Sequence, residues 1–259
     1  MLETYSETSY TGSNFSDLYR EEKNYWWSRA RRNLINRFIR KLALLSDSTM
    51  VLDVGCGGGA LLSSLQGCRK LFGLEPSIQG AIQSAAKTRA RIVRGNAEEL
   101  PFKKGHFDIL TSLDTIEHVD DDSKALRNFH HVLNDKGIVV LTVPAFKFLW
   151  SPRDVLLGHK RRYTAAGLKL LLKKVGFKII KCSYINSFYF PGLFLYSLSK
   201  RIVRPYSKPK TDILLLPGWI AVLFSFILKV EESILLHMNI PIGTAVLCIA
   251  KKERDMSQC

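Results

Sequence analysis

Val51-Leu52-Asp53-Val54-Gly55-Cys56-Gly57-Gly58-Gly59 is an apolar run that ends in a tight glycine turn. Twenty residues after Gly55, a second run, Leu71-Phe72-Gly73-Leu74-Glu75, ends in an acid. The pair reads as the start of a nucleotide-binding βαβ unit, because glycines let the backbone approach a ligand that a Cβ would fend off. Glu75 is placed to accept hydrogen bonds from a ribose diol. The turn alone leaves two cofactor classes open, since Gly55-x-Gly57-x-x-Ala60 also satisfies the dinucleotide fingerprint. Asp53 tips the balance. Dinucleotide folds usually keep that strand end apolar up to the first glycine, whereas a carboxylate two residues earlier suits a cofactor that presents an ammonium group.

Working outward, strand-like and helix-like segments alternate: strands over 49–54, 70–75, 90–94, 107–113 and 137–143, and helices over 58–66, 77–88 and 121–133. Such alternation predicts a parallel sheet wound on both faces, with ligands at the carboxyl ends of its strands. Before it, Leu18, Tyr25, Trp26, Leu34, Ile35, Phe38, Leu42 and Leu45 recur at helical spacing behind a polar lead. After it, Leu168, Leu171, Leu172 and Val175 mark a helix stopped by Gly176, followed by strands over 177–185 and 243–251.

This order of motifs resembles the class I S-adenosylmethionine-dependent methyltransferases. The glycine turn with Glu75 matches their first two motifs. Gly95-Asn96-Ala97-Glu98-Glu99-Leu100-Pro101-Phe102 is similar to their Gly-Asp-Ala-Glu-x-Leu-Pro-Phe segment, and Phe107 to Val119 to their fourth strand and the loop after it. Val132 to Pro144 is similar to their helix end, glycine turn and fifth strand. Gly158-His159-Lys160-Arg161-Arg162-Tyr163, with Asp154 ahead of it, resembles a Gly-His-x-Arg-Arg-Tyr signature in a type 11-like subgroup. The resemblance covers about 30 to 182 and a short C-terminal strand. It implies a doubly wound, seven-stranded, mostly parallel α/β sheet with an antiparallel last strand pair, the Rossmann-like methyltransferase fold.

The expected organisation is a helical lead or lid over 1–45, a cofactor-binding core over 46–185, an apolar helical insertion over 186–242, and a final strand and tail over 243–259. Ile213 to Leu228 is almost wholly apolar, but Pro217-Gly218 divides it into halves too short to span a bilayer. The insertion therefore reads as a greasy cap over the acceptor pocket, or as helices lying in a membrane interface beside the basic stretch Arg201 to Lys210.

A net charge of +15 invites an anionic partner or substrate, set against a merely solvated surface. Five scattered cysteines without a CxxC pair indicate neither a disulfide framework nor a zinc site, and the polar Met1 to Tyr10 carries no secretory pattern. A cytoplasmic location is expected, with peripheral contact to anionic membrane as the alternative that the insertion raises.

The resemblance implies S-adenosylmethionine as cofactor and S-adenosylhomocysteine as product, and it assigns roles to individual positions. Asp53, Gly55, Cys56, Gly57 and Gly59 would floor the methionine side, Glu75 and Pro76 the ribose, and Asn96, Ala97 and Glu98 the adenine. Leu113 and Asp114 would stand at the fourth strand's end, with Trp27 shielding the sulfonium and Arg29 pairing with the cofactor carboxylate. Asn96 stands where the family usually has Asp. His159, with Asp154 as orienting partner, is the candidate general base, with His118 beside it. Arg161, Arg162 and Tyr163 are candidates for binding an anionic part of the acceptor, against the alternative that this segment pins a loop. No metal is assigned. Asp114-x-x-Glu117-His118 nevertheless resembles the Glu-x-x-Glu-His site of quinone-biosynthesis O-methyltransferases, which would suit magnesium.

The expected activity is methyl transfer to an oxygen, nitrogen or carbon nucleophile of a small or lipid-like acceptor. Three alternatives stand beside it. One is a nucleic-acid methyltransferase, suggested by charge; the segment Asp114-Thr115-Ile116-Glu117 lacks the Pro-Pro-aromatic sequence usual for base amines. The others are a membrane-surface protein with a vestigial cofactor site and a nicotinamide dehydrogenase.

Overall fold

The computed structural model describes residues 26–42, 45–65, 67, 68, 70–202 and 218–253. Seven strands form one sheet in the order β3-β2-β1-β4-β5-β7-β6: β1 (Met50–Val54), β2 (Lys70–Glu75), β3 (Arg91–Arg94), β4 (Phe107–Leu113), β5 (Leu133–Pro144), β6 (Phe177–Ile185) and β7 (Ala245–Lys252). β1 through β5 pair in parallel, and β7 inserts antiparallel between β5 and β6. This is the expected methyltransferase sheet. Consecutive residues of the central strands point to opposite faces, so Leu52 and Leu110 enter one core while Val51 and Ile109 enter the other. That two-sided burial explains why these strands read as unbroken apolar runs.

The first face is covered by α3 (Asp122–Val132) and α5 (Ala165–Lys174), which bury Leu126, Phe129, Leu168 and Leu172. Their starts are written locally: Asp121 accepts from the Lys124 amide at 2.8 Å and Thr164 from the Gly167 amide at 3.0 Å. α2 (Ile78–Lys87) begins in the same way at Ser77. On the second face α1 (Trp26–Leu42) buries Leu34, Ile35, Phe38 and Ile39 against Val51, Ile109 and Ile249. A short helix α4 (Pro152–Leu156) follows β5.

The insertion contributes α6 (Phe190–Ile202) and α7 (Gly218–Leu235). α7 packs beside α1, with Arg37 paired to Glu232 at 2.9 Å. The buried Glu231 accepts from the Asn186 amide and from the Ser187 amide and hydroxyl, clipping α7 to the end of β6. Among the described residues no helix is long and apolar enough to cross a membrane. The basic stretch at 203–210 lies outside them.

One expected element is much shorter. The helix expected over 58–66 is only a 3-10 turn, Leu62–Ser64, with Leu65 extended after it. Its serines explain the arrest: the Ser63 and Ser64 hydroxyls donate back to the carbonyls of Ala60 and Leu61 at 2.9 and 2.7 Å, offering the chain an alternative to helical bonds.

Candidate active site

Because β1 is flanked by β2 on one side and β4 on the other, the strand order reverses at its carboxyl end and leaves a crevice there. The glycine turn lies on that edge. Gly55, Gly57 and Gly59 have φ of +75°, +51° and +76°, a handedness glycine adopts without strain. The amides of Gly55 and Cys56 both donate to the Leu74 carbonyl, at 2.8 and 3.1 Å, tying the turn to β2. Glu75 is only 5% exposed; its Oε2 accepts from the Gly57 amide at 2.8 Å and its Oε1 from the Ser77 amide at 3.0 Å. The acid that ends β2 thus holds the turn that ends β1.

Asp53, opposite Thr111 in the register, is buried and accepts that hydroxyl at 2.7 Å. Burial pushes the Cys56 thiol upward in pKa, with the charges of Asp53 and Glu75 adding to it, so it stays protonated. Pro76 is exposed, its carbonyl accepting from Arg94 Nε at 3.2 Å. Asn96 Oδ1 accepts the Glu98 amide at 3.1 Å, and the carbonyl of buried Ala97 accepts from Asn128 at 3.3 Å. Glu98 in turn receives the Asp120 and Asp121 amides at 3.4 and 3.0 Å, joining this loop to the start of α3.

Beyond Leu113, Asp114 takes a φ of +51° and turns its carboxylate between two donors. Thr142 donates to Oδ1 at 3.0 Å, and Arg31 of α1 forms an ion pair with Oδ2. Burial, the largest single influence, would raise the Asp114 pKa, but the Arg31 charge together with the hydrogen bonds from Arg31 and Thr142 outweighs it and the group sits below the usual carboxylate range. Arg29, two residues away on the same helix and so on another face, is exposed. The Trp27 side chain lies outside the described residues.

The segment after β5 turns inward. Asp154, 1% exposed, accepts five hydrogen bonds: from the Ser151 amide and hydroxyl at 2.8 and 3.0 Å, from Arg162 Nε and a terminal guanidinium nitrogen at 2.7 and 2.9 Å, and from His159 Nδ1 at 2.8 Å. Burial opposes its ionisation, yet the His159 and Arg162 contacts prevail and hold it well below the ordinary carboxylate range. Since a carboxylate only accepts, His159 carries a proton on Nδ1.

Arg162 also donates to the Ala145 carbonyl at 2.9 Å, and Arg161 to the carbonyls of Val119 and Asp120 at 3.0 and 2.7 Å. Buried Tyr163 donates to Asp122 at 2.9 Å and to the Ile116 carbonyl at 3.3 Å. Desolvation, followed by the Asp122 charge, drives its pKa upward. All three are therefore engaged with the chain itself, bracing the loop between β4 and α3.

Two groups complete this side. The His118 and His159 rings meet edge to face with centroids 4.8 Å apart. Burial, assisted by the neighbouring His159, pushes the His118 pKa down to about 4, so it is neutral at physiological pH. Glu117 is wholly buried, and neither of its carboxylate oxygens has a hydrogen-bond partner among the described residues. Desolvation and then the Asp114 charge raise its pKa well above the usual range. The expected positions thus collect into two groups, a turn bound by Glu75 and a polar cluster of Asp114, His118, Asp154 and His159.

The match to known sequences accords with this geometry. Residues 26–181 match the family described as Methyltransferase domain. The chain belongs to that family. The chain is 32% identical over 150 residues to an uncharacterized protein of Methanocaldococcus jannaschii, covering 58% of this chain and 55% of that one. To the ubiquinone biosynthesis O-methyltransferase of Azorhizobium caulinodans it is 31% identical over 98 residues, 36% of this chain and 39% of the relative. It thus spans roughly half or less of the length of these two relatives. A solved structure of Haemonchus contortus phosphoethanolamine N-methyltransferase 2 in complex with S-adenosylmethionine shares the fold, with a TM-score of 0.62 at 17% identity over 96% of this chain and 59% of that one.

S-adenosylmethionine, the cofactor of this class, fits the residues present. A nearly buried carboxylate at the end of β2 stands against a positive-φ glycine turn, and a second buried carboxylate, Asp53, lies beneath it.

Arg31 was not among the expected site residues, and Glu117 stood there only in the resemblance to a magnesium site with Asp114 and His118. A signal for Arg31 existed: it lies three and four residues before Leu34 and Ile35, on the stripe that α1 buries, together with Ser28. For Glu117 the sequence held no sign that its carboxylate would be left unpaired.

Proposed function

We propose that the methyltransferase transfers a methyl group from S-adenosylmethionine to an oxygen, nitrogen or carbon nucleophile of a small acceptor with an apolar portion. The observation that carries this reading is the buried Glu75 carboxylate bound to the Gly57 amide at the strand-order reversal. The cofactor, when bound, supplies the electrophilic methyl group. The protein's share is alignment and exclusion of water: Glu75 takes the ribose hydroxyls, Asp53 the ammonium group, and Asn96 with Ala97 the adenine edge. His159, oriented by Asp154, and His118 form the acceptor-side wall. Arg161, Arg162 and Tyr163 of the Gly-His-x-Arg-Arg-Tyr segment hold that wall in place.

The apolar character of the acceptor is supported by an aromatic ladder between β5 and the insertion. Phe146 stacks on Tyr184 and Phe148 at 4.7 and 4.9 Å, and Phe190 on Phe194 at 5.9 Å. In this reading the insertion at 186–242 is the pocket's cap. The relative named for ubiquinone biosynthesis supports a small-molecule acceptor.

A second reading rests on α7, where Phe226, Val230 and Ile234 recur at four-residue spacing and are exposed, with Met238 exposed just past its end. Such a stripe on a basic protein supports peripheral contact with an anionic membrane. Flotation with anionic phospholipid vesicles should then retain the chain and lose the Phe226→Glu variant.

The central reading is tested by calorimetric titration with S-adenosylmethionine and S-adenosylhomocysteine. Incubation with methyl-labelled cofactor and a metabolite or lipid extract, read by mass spectrometry, then identifies the acceptor. Absence of cofactor binding would overturn the proposal.

A further inference from the structure

The acceptor-side wall contains a group that no part of the reading above uses. Glu117 has both carboxylate oxygens buried without a partner among the described residues, an arrangement that costs free energy unless something else occupies those lone pairs. Forty-two residues later in the chain, His159 arrives beside it. One ligand atom from each of Glu117, His118 and His159 lies within 4.8 Å of the other two. Ligands around a tetrahedral ion stand roughly 3.4 Å apart at bond lengths of about 2.0–2.1 Å, so small ring and carboxylate rotations would close the site.

The surroundings carry a second, independent mark. Metal-binding histidines nearly always donate their other ring N–H to a carboxylate or backbone carbonyl, which fixes the tautomer. One of the two histidines here is held in that way: His159 Nδ1 donates to the buried Asp154 at 2.8 Å. The neighbouring cations do not forbid an ion, because Arg31 is paired with Asp114 and Arg162 with Asp154.

We propose that Glu117, His118 and His159 bind a divalent first-row transition ion, of which zinc is the best match to two imidazoles and one carboxylate. The ligand set differs from the sequence expectation in both membership and ion. Asp114, engaged by Arg31 and Thr142, is replaced by His159, and the two nitrogen ligands disfavour magnesium, which takes oxygen. Three protein ligands leave a further position for water or an acceptor oxygen. This deepens the function proposed above, whose acceptor-side wall becomes a metal centre.

The test uses the full chain, freed of metal with a chelator and titrated with cobalt(II), whose visible absorption reports ligation. One equivalent should bind, and zinc should displace it where equimolar magnesium does not. Glu117→Gln and His159→Ala should each weaken binding at least about tenfold, and Asp154→Asn roughly ten- to a hundredfold, while His237→Ala, an exposed histidine outside the cluster, should leave it unchanged. Circular dichroism melts establish that each variant is folded. No cobalt spectrum at one equivalent, an unaltered titration in both folded ligand variants, or displacement by equimolar magnesium would overturn the proposal. S-adenosylmethionine titrations on the same samples separate the two claims: cofactor binding without metal sinks this inference alone, and metal binding without cofactor sinks the proposed function alone.

Discussion

Replacing Asp154 by Asn should cost the fold about 3–5 kcal/mol, the usual consequence of removing one partner of a buried ion pair. The structure supplies the reason. Oδ1 receives His159 and Arg162 Nε, while Oδ2 receives the Ser151 amide, the Ser151 hydroxyl and a second Arg162 nitrogen. Whichever end the new amide nitrogen occupies, it faces at least two donors, and Arg162, 9% exposed in its side chain, keeps its charge without a counterion. For a chain of this size each kcal/mol moves the melting temperature by roughly 2–4 °C, so a fall of about 10 °C is expected. Guanidinium denaturation of Asp154→Asn, Arg162→Met and the double variant measures the pair as a cycle. The double variant should be clearly more stable than the sum of the single losses, because it leaves no orphaned charge. A loss under about 1 kcal/mol for Asp154→Asn, or strict additivity, would refute the claim that this pair braces the loop.

Glu75→Gln should weaken S-adenosylmethionine binding by roughly ten- to a hundredfold in calorimetry, since charge-assisted bonds of about 1.5–3 kcal/mol are lost; unchanged affinity would remove Glu75 from the cofactor site. Gly55→Ala should destabilise by at least about 2 kcal/mol, because the left-handed backbone alone costs about 1–2 kcal/mol and the new Cβ would stand 2.3 Å from Thr115 Oγ1. Tyr163→Phe should cost about 1 kcal/mol in denaturant while leaving cofactor affinity near its original value; a large loss of acceptor binding instead would restore Tyr163 as a substrate contact. Asp114 has a depressed folded pKa, so its pairing with Arg31 contributes stability above the unfolded value of about 3.9 and loses it as pH falls through the folded value. Arg31→Met should therefore flatten the acid limb of the stability profile, and an unaltered limb would show the pair to be inconsequential.

What the chain wrote locally could be read locally. The apolar runs of β1, β4 and β5, the glycine turn, the acid ending β2, and the capping residues Ser77, Asp121 and Thr164 all act over a few residues. Hydrogen bonding at that range depends little on the rest of the molecule, so periodicity and turn chemistry were enough to place them. The helix expected at 58–66 failed for an equally local reason, serine hydroxyls competing for backbone carbonyls.

The acceptor side was decided otherwise. Arg31 reaches Asp114 across 83 positions, and Glu117, His118 and His159 converge only because β5 and its following turn fold back over the end of β4. Residue type marked these positions as reactive, but spacing could not tell whether Arg162 would meet a substrate anion or the buried Asp154. Packing decides that, because which charge loses its water, and which partner stands where the water was, exists only once the sheet has assembled. The sequence by itself determined the fold and the glycine turn; the tertiary structure determined which of the ionisable residues brace the site and which three are left facing one another.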